Sequence, residues 1–111
     1  GPKQFNGSEA ASRPMELLLV SLGSCTASDV VSILRKKRVP LDTMDVVVTG
    51  NRKETHPKVY TKINIEYIFY GKNMETKDLE RAIDLSQNKY CPISAMLKES
   101  CEITHSYRVE E

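Results

Sequence analysis

Apolar positions are densest between Pro14 and Arg38, in PMELLLVSLGSCTASDVVSILRKKR. Leu17, Leu18, Leu19, Val20, Leu22, Val30, Val31, Ile33 and Leu34 occupy nearly every side of a 3.6-residue helix, so the pattern predicts a helix buried all round. Proline suits its first turn, where an N–H would lack a partner, and Arg35, Lys36, Lys37 and Arg38 suit its last. A helix of this length runs about 37 Å. A domain of this size has twice its radius of gyration at only ~26 Å. One chain cannot easily wrap such a helix, and a second copy is the expected cover.

After the turn at Val39-Pro40-Leu41-Asp42, the β-branched run from Met44 to Thr49 predicts a strand continuing towards Lys53. His56-Pro57 marks a hairpin turn, and Val59 to Tyr70 alternates with period two. Val59, Thr61, Ile63, Ile65, Tyr67 and Phe69 fall on the face expected to be buried. Thr76 is the expected N-cap of a helix carrying Leu79, Ala82, Ile83 and Leu85 and ending near Lys89. Pro92 opens a short helix to Lys98, and Cys101 to Val109 alternates as a last strand. The order predicts one α+β domain over 1–111, with helices on one side of an antiparallel sheet. Gly1 to Glu9 reads as loop.

Charge narrows the function classes. Sixteen Lys and Arg against fifteen Asp and Glu give no net field for nucleic acid or an anionic membrane. The polar residues Ser21, Ser24, Thr26, Ser28 and Asp29 argue against the long helix as a membrane span. Three cysteines, an odd count, fit thiol chemistry in a reducing cytoplasm better than a disulfide framework. Two histidines without cysteine or carboxylate at ligand spacing make no case for a metal. His56 is expected in solvent, and His105 and Tyr60, Tyr67, Tyr70 and Tyr107 as ordinary strand residues.

Pro14-x-Glu16-Leu17-Leu18, Gly23-Ser24-Cys25-Thr26 on the long helix, and Tyr90-Cys91-Pro92-Ile93-Ser94 opening a short one together resemble the OsmC/Ohr family. These are the osmotically inducible and organic hydroperoxide resistance proteins, and the resemblance runs from about Pro14 to the C-terminus. It implies an intertwined homodimer with central long helices and reduction of organic, lipid-like hydroperoxides. It implies Cys25 as peroxidatic thiol, Cys91 as its resolving partner and Glu16 as the assisting carboxylate. No cofactor is implied beyond an external dithiol reductant of lipoyl or thioredoxin type. Two departures stand beside it. Peroxidase members carry glutamate directly after the helix-opening proline, paired with an arginine from an early strand. Here Met15 follows Pro14, Glu16 is turned by about 100°, and the early strands are expected to be missing.

Thiol chemistry supports the same residues. A thiolate attacks a peroxide, leaving a sulfenic acid that a second thiol condenses into a disulfide. Cys101, beside Ile103 and Val109 on the last strand, is expected in the core. Asp29, one turn after Cys25, would raise a facing thiol's pKa and is expected to turn elsewhere. A competing class is a binding module holding a hydrophobic small molecule in the dimer cleft, with cysteines idle or sensing redox state; a third is an interaction domain with structural cysteines.

Overall fold

A computed structural model of the protein describes residues 7–111. Helix α1 spans Gly7–Lys36, strand β1 Thr43–Arg52 and strand β2 Tyr60–Tyr70. Helix α2 spans Thr76–Leu85 and runs into a π-helical turn, Ser86–Tyr90; helix α3 spans Pro92–Leu97 and strand β3 Glu102–Glu110. The protein is α+β, as the residue pattern predicts.

Two boundaries differ from expectation. Helix α1 begins at Gly7, so Pro14 lies inside it and the expected loop already turns helical there. Glu9, Ala10 and Ala11 are good helix formers and carry the helix through the proline, which withholds one backbone bond. Just past it, Tyr60 Oη donates to the Met15 carbonyl at 2.6 Å and fastens this end of α1 to β2. At the start of α2, Glu75 rather than Thr76 is the N-cap residue, with no side-chain cap bond.

The sheet is mixed, not antiparallel. Strand β2 is central, antiparallel to β1 (Val48 opposite Ile65) and parallel to β3 (Ile65 opposite His105, Tyr67 opposite Tyr107). Period two fixes which face a residue occupies but not which way its strand runs. Here α2, the π-turn and α3 form a crossover long enough to return the chain to the starting end of β2, as parallel pairing requires.

Ile63, Ile65, Tyr67 and Phe69 form the fully buried face of β2, as the alternation predicts, whereas Val59 and Thr61 of that set are exposed and Tyr60 and Ile68 of the opposite set are buried. Against them lie Leu22, Val30 and Leu34 of α1 and Leu79, Ala82 and Ile83 of α2. Tyr67 stacks on Phe69, and Phe69 meets Tyr107 edge-on. Residues four apart (Leu22, Thr26, Val30 and Leu34) make one buried stripe along α1. The other side stays open within one chain: Leu17 is 55% and Val20 63% exposed. Arg13–Lys36 is long and apolar enough to cross a membrane by length and composition, yet its buried stripe already belongs to the domain core.

Candidate active site

The middle of α1 approaches the sheet closely because Gly23 has no side chain; a Cβ there would meet Val48 Cγ2 at 3.0 Å. Two residues on, Cys25 is partly buried beside the core stripe. Cys91 arrives from the far end of the chain. The π-turn widens the helix so that the Cys91 N–H donates to the Ser86 carbonyl five residues back, at 2.8 Å. The backbone then extends at Cys91, and Pro92 starts α3 without an N–H to satisfy. Cys91 is the N-cap of α3: its sulfur accepts the Ser94 N–H at 3.4 Å.

The two thiols meet across 66 residues of chain. Cys91 Sγ donates to Cys25 Sγ at 3.0 Å, and both cysteines are free. Burial first, and the bond donated to Cys25 second, push the Cys91 thiol up to about 11, against a smaller opposing effect of the Ser94 N–H. The Asp29 carboxylate completes the group: its oxygen and the two sulfurs all lie within 4.8 Å of one another. That overturns the expectation that Asp29 faces away. Four residues along a helix bring a side chain back to nearly the same direction, so Asp29 follows Cys25 to one side. Two thiolates on one tetrahedral zinc would stand about 3.8 Å apart, wider than the sulfurs do here.

Beneath this group is a buried polar network that the sequence pattern did not reveal. Thr26, Ser86, Gln87 and Ser94 are all buried. Its directions follow by elimination. Ser94 Oγ donates to Gln87 Oε1 at 2.8 Å, which turns the Gln87 amide nitrogen towards Thr26 Oγ1 (3.1 Å) and Tyr67 Oη (3.3 Å). Ser86 Oγ has one hydrogen and gives it to Asp29 Oδ2 at 2.9 Å. Thr26 therefore donates to Ser86 (2.7 Å), and Tyr67 donates to Thr26 (2.6 Å). Every hydroxyl in the chain Tyr67–Thr26–Ser86 thus points towards Asp29. Burial pushes the Tyr67 phenol up to about 12, against the N–H that Gln87 donates to its oxygen. Lys98 Nζ, bonded to the Gln87 carbonyl and to Asn88 Oδ1, ties the π-turn to the end of α3.

Glu16 lies elsewhere. Nine residues before Cys25 is about 13.5 Å along the axis, and Glu16 is exposed on a groove it shares with Val20, Gly23, Ser24, Met44 and Val48. A single chain does not bring it to the cysteine pair. Cys101 packs against the core, as expected, with its thiol donating to the Leu97 carbonyl at 3.4 Å. His56 is exposed beside the β1–β2 turn and His105 is exposed on β3.

A long helix laid on a mixed three-stranded sheet, with a central helical thiol facing a second thiol at a π-turn, defines a two-cysteine α+β domain. The chain belongs to the OsmC family: the model for OsmC-like protein matches residues 6–106. It is 41% identical over 104 residues to protein YhfA of Escherichia coli K12, an alignment covering 94% of this chain and 78% of YhfA. Among solved structures, a hypothetical protein from Aquifex aeolicus VF5 is 44% identical with a TM-score of 0.80, covering 100% of this chain and 80% of that one. An organic hydroperoxide resistance protein OsmC from Legionella pneumophila shares the fold at a TM-score of 0.70 and 13% identity, over 86% of this chain and 69% of that one.

Proposed function

We propose that the protein is a cytoplasmic thiol peroxidase for organic hydroperoxides, working as a homodimer. The 3.0 Å approach of Cys91 Sγ to Cys25 Sγ carries this reading. Closing the S–S bond to about 2.05 Å needs only about 1 Å of movement. Cys25, the more accessible sulfur, attacks the hydroperoxide as thiolate. The O–O bond breaks, the alkoxide takes a proton and leaves as alcohol, and Cys25 becomes a sulfenic acid. Cys91 condenses with it to a disulfide and releases water. A small external dithiol, such as a lipoyl group, then reduces the disulfide by exchange. Likeness to proteins named for redox and hydroperoxide resistance supports the general class.

Reduced protein supplied with dihydrolipoamide should consume cumene hydroperoxide faster than hydrogen peroxide, and Cys25→Ser should abolish the activity. Peptide mapping after hydroperoxide treatment should find Cys25 joined to Cys91. A Cys91–Cys101 bond, or an inert Cys25, would sink the reading. In that event the apolar groove along α1 and β1, about 530 Å³ and lined by Leu19, Val20, Met44, Val46 and Val48, favours binding of a hydrophobic small molecule instead.

A further inference from the structure

Charge alone gives Asp29 no place beside two thiols, because a carboxylate disfavours a neighbouring thiolate. Its surroundings suggest another use. The hydroxyl chain from Tyr67 through Thr26 to Ser86 delivers its last hydrogen to Asp29 Oδ2, a built support for one carboxylate in one place. On its other side Asp29 opens onto a groove shared with Ser32, Lys36, Lys37 and Tyr90, which gives a proton a way to solvent. Cys91 has the complementary need. It is 3% exposed, and burial leaves it a thiol at neutral pH, whereas a sulfur must be a thiolate to attack another.

We propose that Asp29 is the proton acceptor for Cys91, taking its thiol proton as Cys91 Sγ attacks the oxidised sulfur of Cys25, with Ser86 and Thr26 positioning the carboxylate. At 4.8 Å or less from both sulfurs, the transfer runs directly after a small movement or through one bridging water. The S–S bond forms and the Cys25 S–O bond breaks. Asp29 passes the proton to the departing hydroxide, giving water, and returns to carboxylate. The titratable groups around it are Cys25 on its own helix, Cys91 at the head of α3, Tyr67 from β2, and Lys36, Lys37 and Tyr90 along the groove. The inference rests on the reading of Cys91 as the thiol that closes the disulfide.

The test separates this step from hydroperoxide chemistry. In a Cys101→Ser background, reduced protein is mixed with the aromatic disulfide dithionitrobenzoate. Cys25 releases one thionitrobenzoate and keeps the other as a mixed disulfide; Cys91 then displaces the second and passes its proton to Asp29. Asp29→Asn should leave the first release as fast as in wild type or faster, since a charge that disfavours the Cys25 thiolate is gone, and slow the second by on the order of 10²-fold at neutral pH. Its second phase should then rise about tenfold per pH unit, as a thiol ionising unaided does. Ser86→Ala should slow the second phase less, and Asp29→Glu should restore part of it with the wild-type pH profile. A second phase in Asp29→Asn within about threefold of wild type from about pH 6 to 9, measured against the effect a general base contributes, overturns the proposal. So does an equal slowing of both phases with an unchanged pH slope. If circular dichroism shows Asp29→Asn unfolded, the other two variants decide, and second-phase rates equal to wild type in both overturn it. A protein that runs both phases but consumes no hydroperoxide loses the peroxidase function and keeps this role for Asp29.

Discussion

Ser94 Oγ donates to Gln87 Oε1 at 2.8 Å, and that bond decides which way the Gln87 amide faces. With its oxygen engaged, Gln87 has only donors left for Thr26 and Tyr67, so both hydroxyls keep their own hydrogens for the chain whose direction Asp29 sets. Gln87→Leu keeps the bulk, strips both donors and leaves the Ser94 hydroxyl buried and unpaired. It should destabilise the reduced protein by about 2 kcal/mol, the desolvation cost of abandoned polar groups. Ser94→Ala, which removes one donor from one acceptor, should cost about half of that. Urea denaturation measures both; an unchanged midpoint for Gln87→Leu would show the network to be energetically idle.

The raised Cys91 pKa ties stability to pH. Burial lifts it from 9.0 to about 11, so the folded chain holds this proton more tightly than the unfolded one does. The stabilisation is complete below pH 9 and is lost as pH rises towards 11. Reduced protein should therefore lose stability across that window faster than Cys91→Ala does. Thermal melts of the two, compared from pH 8 to 11, check this, and parallel decline would refute it.

Leu17 and Val20, 55% and 63% exposed on the open side of α1, predict self-association. The wild type should sediment as a dimer at micromolar concentration. Val20→Lys should weaken the dimer at least tenfold, about 1.4 kcal/mol. A monomeric wild type of 12.6 kDa would remove this face from consideration as an interface.

Gly50 lies beneath the Tyr60 ring. A Cβ there would come within 2.6 Å of Tyr60 Cε1, and that ring is held by its bond to the Met15 carbonyl. Gly50→Ala should cost about 1–3 kcal/mol, the usual range for overpacking. In the double variant with Tyr60→Ala most of the Gly50→Ala cost should vanish, since the clash has only that ring as its source. A cost that persists undiminished would assign it to backbone strain instead.

Much of the fold was legible in the residues. The hairpin, the helix after it and the short helix opened by Pro92 follow from period, branching and proline chemistry, and the pairing of Cys25 with Cys91 came from the family resemblance. Strand β3 shows where legibility ended, because alternation is identical in parallel and antiparallel strands. Pro14 shows it again: the best position for proline is a first turn, but helix-forming neighbours on both sides outweigh one missing bond. Asp29 was readable and misread. Its four-residue offset from Cys25 placed it beside the sulfur, while the electrostatic cost argued it away; the hydroxyl chain that holds it there comes from Thr26, Tyr67 and Ser86, which no local pattern connects. Glu16, drawn from a family resemblance, lies on a different side of α1 from the thiol pair.

The parallel pairing of β2 with β3 also orders events during synthesis. Strands β1 and β2 can zip as a local hairpin as soon as they leave the ribosome, whereas β3 can dock only after the whole crossover has been made. Cys91 lies in that crossover, so Cys25 waits through 66 further residues before its partner thiol is made. Proximity of the two thiols thus reports that the crossover has packed against α1, and the rate at which a refolding chain becomes able to form its disulfide would clock that packing.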